Sequence, residues 1–505
     1  MTGPRSNTSA LGRRRRSIGA LSVLAAACAL PAGLGAQAMC VRTKPTWRQE
    51  SGIVALQQAV RDVGTDTQVM LVASHPDDRY VLPAALLRFR YGYRVAAVLF
   101  TRGRGGQNSE GTETGEALAR VRTMEAEAGA AHLGIKIYYL NRPDGGFCRT
   151  AEQAFDEWGR RSTAEDLARL VRIIRPDMLV TTHFPNENHG HDKALLETLP
   201  NALRLAADAS FVTEGLDPYQ VSRMFRGTDD GEDPHITLRM TSLDRARGRT
   251  YRQIAYEALK EHESQRPQQP MEKLLQTDLH LVSVPLAEQP LLKSIGGVPG
   301  LFELLRKPGN PEVDQLPGLI ESLRKIKSPE ELLDAALHLL GRLRKIEVPA
   351  GTQPWILLQR RLDAVRRVVL LAAGVHVRIK PDPNRDAVVG TELPLSIRIH
   401  NEGPLALSLV EVSAMAGGGI RFPGRKPQSL KVSSLQSVEF VAHYTCPDLS
   451  EQDLHRLFTL DTFEPPLRLR FTVSIGGQPV AFERAIRMEV HQPFEMGISP
   501  HTLLL

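Results

Sequence analysis

The hexapeptide Ser74-His75-Pro76-Asp77-Asp78-Arg79 puts an imidazole and two carboxylates on one tight turn directly after the apolar run Val69-Met70-Leu71-Val72-Ala73. A strand end followed by a turn into a helix lets His75 and Asp78 converge on one point while Asp77 serves an adjacent one. A catalytic zinc site takes three protein ligands and leaves a position for water. One His, one Asp and a spare carboxylate are two of those ligands and a base, the set that metal-assisted hydrolysis needs. A second cluster, Asn188-His189-Gly190-His191-Asp192, follows the apolar run Met178 to Thr182 after a short loop and can supply the third ligand and an imidazole. Taken alone, His-Pro-Asp-Asp also suits a turn with an Asp helix cap. Two such clusters at the ends of strands in one layer favour a metal site.

These clusters need a scaffold with parallel strands. From Gln68 to about Ala206, short apolar runs alternate with amphipathic stretches, the pattern of βα units. Strands are expected at 69–73, 95–100, 135–140 and 178–182, with a helix over 113–132 and another starting at Ser162 in a capping box with Glu165 and ending at Arg175-Pro176-Asp177. An open parallel sheet of this kind binds ligands at the carboxyl ends of its strands. Residues 290–375 turn Leu-rich, broken by Pro and Gly, and predict several short helices. From Val375 onward, alternating runs at 393–400, 438–443, 467–474 and 485–490 predict an antiparallel β-sandwich. The fold class is thus α/β, a parallel-sheet domain followed by a helical segment and a C-terminal antiparallel β-sandwich. The expected division is 1–38 as signal peptide, 45–275 as catalytic domain, 276–375 as helical linker and 376–495 as accessory sandwich.

The order of these motifs resembles the PIG-L-type (LmbE-like) zinc-dependent N-deacetylases, whose signature is usually Ala-His-Pro-Asp-Asp-Glu. Residues 101–108 (Thr-Arg-Gly-Arg-Gly-Gly-Gln-Asn) are similar to the family's glycine-rich loop, Arg122 and Glu125 to its Arg-x-x-Glu helix, and Asp144-Gly145-Gly146-Phe147 to its Asp loop. Arg175-Pro176-Asp177, His189-Gly190-His191 and His262-Glu263-Ser264-Gln265 continue the likeness, which spans about residues 65–265. The resemblance implies a Rossmann-like fold for the parallel-sheet domain and hydrolysis of an N-acetyl group, commonly on an N-acetylglucosamine unit of a glycan. It also implies Zn2+ bound by His75 and Asp78, Asp77 as general base, His189 as the imidazole facing the oxyanion or leaving amine, and Arg122 and Asp144 near the sugar. Two departures stand out. Asp192 occupies the place of the family's second-motif His, giving a His75, Asp78, Asp192 set with His191 as the alternate ligand. Arg79 replaces the family Glu, where a cation can pair with Asp77 or Asp78 and compete with a metal. A different class of reading is a catalytically degenerate glycan-binding or assembly protein; a third is a metal hydrolase of another amide.

Charge and cysteines narrow the field. The formal charge of +6 over 505 residues falls to +1 once the five arginines of residues 1–38 are set aside, so the body offers no field for nucleic acid. Those arginines precede an apolar run, Ile18 to Leu34, and the small-residue triplet Ala36-Gln37-Ala38, an export signal after which no membrane-spanning helix is expected in the mature chain. Export places the protein in the periplasm, outside the cell or on its envelope. Cys40, Cys148 and Cys446 remain, no disulfide framework and no cysteine zinc site. Gly103 to Gly106 match no phosphate-loop pattern and are expected to shape a pocket rim. His132, His183 and His262 are expected to be structural, and Arg122 and Asp144 taken singly suit a paired arginine and a turn former.

Overall fold

A computed structural model describes residues 52–213, 215–265, 278–286, 295–296, 299–305, 311–415, 419–424, 427, 430–446, 467–486 and 490–491. All of them belong to one unit, Trp47–Leu505. The expected signal segment and Cys40 lie outside the described residues, as do 487–489 of the last expected strand.

The four apolar runs form strands because each is buried on both faces, which is what a parallel sheet between two helix layers demands. They are β1 (Gln68–Ala73), β2 (Arg94–Thr101), β3 (Lys136–Arg142) and β4 (Met178–Thr181). Three more strands, β5 (Arg223–Gly227), β6 (Ile236–Leu238) and β9 (Leu279–Val284), join them in one sheet of order β3-β2-β1-β4-β5-β9-β6. A two-residue ladder of β7 (Leu243–Asp244) with β8 (Arg249–Thr250) stands apart from it. Neighbours from β3 to β5 run parallel, while β9 lies antiparallel to β5 and β6.

Successive β1 side chains point to opposite faces. Val69, Leu71 and Ala73 enter a core with α2 (Val81–Phe89), α3 (Gly115–Leu133) and α7 (Tyr251–Leu259). Met70 and Val72 enter another with α4 (Ala151–Trp158), α5 (Arg160–Ile174) and α6 (Gly190–Ala207). The strand order reverses between β1 and β4, where Val72 pairs with Thr181, so a crevice opens beyond their carboxyl ends.

Two local expectations need correction. α5 starts at Arg160, not Ser162, because Gly159 at φ 74° breaks the chain after α4 and the next helix begins at once. The Ser162 hydroxyl donates to the carbonyls of Trp158 and Gly159 instead of capping. The sheet also runs past the expected boundary at 275, since β9 lies within the stretch read as a helical linker. A six-residue strand whose antiparallel partners lie far back in the chain carries little signal of its own in a Leu- and Pro-rich stretch.

Helices do occupy most of the remainder of that stretch: α8 (Leu301–Leu305), α9 (Pro311–Leu323), α10 (Pro329–Leu343) and α11 (Gln353–Ala372). Ser328 and Thr352 cap the last two by accepting from the amides of Glu331 and Trp355. The expected sandwich follows as two antiparallel four-stranded sheets. One has the order β10 (Val375–Pro381), β12 (Glu392–Asn401), β16 (Gln436–Thr445) and β14 (Gly419–Arg421), with β11 (Ala387–Val388) outside it. The other has the order β15 (Leu430–Val432), β13 (Leu407–Ala414), β17 (Leu467–Ile475) and β18 (Gln478–Ile486). Along β12, Leu393, Leu395, Ile397 and Ile399 are buried in alternation. The segment before the sandwich is more than a linker: residues of α9 to α11, of both sandwich sheets and of the N-terminal helix α1 (Gly52–Val63) share one apolar core.

Consecutive arginines of α11 fasten that core to the α/β sheet. Arg360 donates to Asp177 Oδ2 at 3.0 Å, to the Asp66 carbonyl at 3.1 Å and to the Arg175 carbonyl at 2.7 Å. Arg361 pairs with Asp66, and Asp177 also accepts from the Gln68 amide at 2.8 Å. Among the described residues no helix is long and apolar enough to cross a membrane.

Candidate active site

The chain leaves β1 in a turn closed by a side chain. The amides of Ser74 and His75 both donate to Asp78 Oδ2 at 2.8 Å, and the Asp78 amide returns to the His75 carbonyl at 3.3 Å. Asp78 is therefore fixed by the backbone it closes, with Oδ1 3.9 Å from His75 Nδ1. From the neighbouring strand, α6 brings the second cluster to the same place. His189 caps it, accepting from the His191 amide at 3.1 Å, and Asp192 stands in its first turn. Gly190 is required there: a Cβ would lie 2.3 Å from the Thr150 carbonyl oxygen and 2.6 Å from Cys148 Sγ.

His75, Asp78 and Asp192 each offer a ligand atom within 4.8 Å of the others, and so do His75, His189 and His191. His75 Nε2 is 2.9 Å from His191 Nδ1, whose ring stacks on Trp158 at 4.7 Å. The expected His75, Asp78 and Asp192 are thus grouped, whereas the alternate ligand His191 is grouped with His75 and His189 and not with Asp78. Asp192 is only 8% exposed, and its Oδ1 has no hydrogen-bond partner. A buried carboxylate with an unsatisfied oxygen beside a half-buried one is costly without a cation, so the residues present fit a divalent ion.

Burial and the Asp78 charge push Asp192 up to about 6. Burial also works against charge on Asp78, yet contacts with His183 and His75 hold it well below the usual carboxylate range. For His75, burial is outweighed by Asp78 and Asp192, and its pKa rises. Burial and the His75 charge lower His189 to about 4 and His191 to about 3. His189 is then neutral at pH 7, and since its Nδ1 accepts a backbone N–H, its Nε2 carries the proton. Asp77 is exposed yet crowded by the surrounding protein, and this partial desolvation and the Asp78 charge raise its pKa.

Residues 70–199 match the family model PIG-L, described as GlcNAc-PI de-N-acetylase. Residues 70–199 of the α/β region are thus a PIG-L family domain. No curated protein matches the chain. Similar solved structures include a conserved protein from Thermus thermophilus, at 23% identity over 41% of this chain and 84% of that one, TM-score 0.31. Another is the N,N'-diacetylchitobiose deacetylase from Pyrococcus horikoshii, at 23% identity over 40% and 72%, TM-score 0.33. A third is the 4-carboxy-2-hydroxymuconate hydratase from Pseudomonas putida, at 17% identity over 45% and 100%, TM-score 0.33.

Within the PIG-L domain, His183, expected to be structural, has two carboxylate partners that its place in the sequence did not reveal. It is 5% exposed at the end of β4, with Nε2 3.1 Å from Asp78 Oδ2 and Nδ1 3.3 Å from Glu187 Oε1. Burial opposes its charge, but Asp78 and Glu187 raise its pKa well above the ordinary value. Its position after a strand, like that of His75 after β1, was the one signal available; that the two strands are neighbours is a matter of topology. Arg79 also departs from expectation. Its side chain is exposed, and among the described residues it makes no ion pair with Asp77 or Asp78.

Arg122 is buried in the PIG-L domain and donates to the carbonyls of Gly103 and, at 2.9 Å, of Gln107. Here it is a strut for the glycine loop, while Asp144 folds its own turn by accepting from the Gly146 amide at 2.9 Å. Glu125 binds the amide and hydroxyl of Ser264 at 2.7 and 2.6 Å, so the Arg-x-x-Glu helix and the late His-Glu-Ser-Gln segment meet. The loop is glycine because it packs so closely: a Cβ on Gly105 would stand 2.4 Å from the Asp144 carbonyl oxygen and the Gly146 amide nitrogen. Gly105→Ala is expected to displace the rim and lower kcat/KM by roughly tenfold or more with the far-UV spectrum unchanged; an unaltered kcat/KM would show that the loop does not shape the pocket.

Proposed function

We propose that the protein is an exported, zinc-dependent hydrolase that removes the acetyl group from the nitrogen of an amino sugar of the N-acetylglucosamine kind. The observation that carries this reading is the convergence of His75, Asp78 and Asp192 at the strand ends of a PIG-L domain, with exposed Asp77 next to Asp78 in the same turn. The family description names an N-acetylglucosamine amide as substrate, and exposed Phe147, edge-on to His189 at 5.1 Å, offers an apolar face beside the pocket. Export rests on the N-terminal arginines, apolar run and small-residue triplet.

In this reading His75, Asp78 and Asp192 hold the zinc. When bound, the ion acidifies water and polarises the amide carbonyl. Asp77 accepts the proton of the attacking water as its oxygen bonds to the carbonyl carbon, and His189 Nε2–H donates to the developing oxyanion. Asp77 passes the proton to the amine nitrogen as the C–N bond breaks, giving acetate and the free amino sugar. Arg122 and Asp144 hold the rim against which the sugar sits.

The test is elemental analysis of the dialysed protein and of Asp192→Ala, followed by acetate release from a panel of N-acetylated amino sugars. Zinc retained by the parent and lost in the variant, with acetate released by the parent alone, is the expected result. Zinc without acetate or any other acid from such amides would leave a glycan-binding site in place of an enzyme. No zinc in the parent would overturn the metal reading.

A further inference from the structure

On the far side of Asp192 lie two further candidate ligands, His183 and Glu187, that the reaction above leaves unused. His183 Nδ1 is 3.3 Å from Glu187 Oε1 and 3.7 Å from Asp192 Oδ1, and all three atoms lie within 4.8 Å of one another. We propose that His183, Glu187 and Asp192 form a second divalent-cation site of the zinc type, with Asp192 shared between the two ions. The inference rests on the preceding assignment of His75, Asp78 and Asp192 to the first ion.

Spacing supports it. Zinc bonds of roughly 2.0–2.1 Å in a tetrahedron set ligand atoms about 3.4 Å apart, close to the two separations around His183 Nδ1. The oxygen of Asp192 that approaches His183 is the buried Oδ1 with no hydrogen-bond partner. Asp192 and His183 are 8% and 5% exposed, so water does not readily satisfy either.

The orientation of His183 is that of a metal ligand. Its Nε2 is 3.1 Å from Asp78 Oδ2, and in the neutral tautomer that carries the proton on Nε2 the Nδ1 lone pair is turned toward Glu187 and Asp192. Histidines that ligate metals commonly tie their other ring nitrogen to a carboxylate in this way. Here that carboxylate is itself a ligand of the first ion, so the two sites are joined through Asp192 and through the His183–Asp78 bond. Paired ions of this kind sit about 3.5–4 Å apart and clamp the attacking and leaving atoms from two sides.

The experiment is zinc stoichiometry of the full chain, stripped with chelator, reloaded with zinc chloride, gel-filtered and assayed by elemental analysis, for the parent, Glu187→Gln and His183→Gln. Glu187 is partly exposed, so its replacement leaves the fold intact; equal thermal melts of the metal-free parent and Glu187→Gln check this. About two zinc ions per chain in the parent and about one in each variant are expected. One ion in both parent and Glu187→Gln, or two in both, would overturn the second site. One in the parent and none in Glu187→Gln would overturn the sharing, since the single ion would then use Glu187. A parent without zinc would instead remove the preceding reading.

Discussion

Asp77→Asn is expected to lower turnover by about 10²–10⁴-fold while zinc content stays at the parent value. Asp77 lies outside each of the ligand groups that the geometry defines, so a carboxamide there leaves the ion's donors in place. What it removes is the proton acceptor. Partial desolvation and the adjacent Asp78 charge raise the pKa of Asp77, whereas His75 and Arg122 pull it back. A base whose pKa is moved toward the working pH can both accept a proton from water and give it up to an amine. Steady-state acetate release and elemental analysis on one preparation separate the two effects. A variant as active as the parent would remove Asp77 from the role of base, and a variant without zinc would make it a ligand.

Arg360→Ala tests a different part of the molecule and is expected to cost about 3–5 kcal/mol of stability. Its guanidinium is buried against Asp177 and also satisfies the carbonyls of Asp66 and Arg175. Truncation leaves the Asp177 carboxylate in a site where burial already raises its pKa despite the arginine. It also frees two carbonyls that solvent does not reach easily. The contacts fall before β1 and β4, at the opposite ends of the strands from His75 and His183. Denaturant midpoints should therefore fall sharply, whereas zinc content and turnover measured well below the transition stay at parent values. A loss of stability under about 1 kcal/mol, the range of an exposed pair, would mean that the shared helical and sandwich core is not fastened through this contact; a loss of zinc would mean that strain passes along the strands.

The elements that proved easiest to read are those whose sequence pattern is set by burial on both sides. β1 to β4 are continuous apolar runs because helices cover both faces of the sheet, and β12 alternates because one of its faces is wet. Capping chemistry was less dependable. Ser162 with Glu165 has the right residues for a helix start, but Gly159 begins the helix earlier and the serine bonds backward into its first turn. β9 escaped notice because its partners are distant in sequence and its own composition resembles the helical stretch around it.

Each half of the candidate site was legible by itself, since His75, Asp77 and Asp78 are within one turn and His189, His191 and Asp192 within another. Local chemistry dictates such clusters: a short turn holds its side chains together whatever the rest of the chain does. The sequence by itself thus determined the residue types, the two turns that present them and the strands that precede them. Only the tertiary structure decided that β1 and β4 are neighbours, and with this that His183 lies against Asp78 and turns Nδ1 toward Glu187 and Asp192. It likewise decided that Arg79 faces solvent and that Arg360 and Arg361 are buried, because solvent exposure and strand adjacency depend on packing between segments more than a hundred residues apart. No spacing along the chain encodes that distance, whereas the hydrophobic effect that closes the sheet sets it directly.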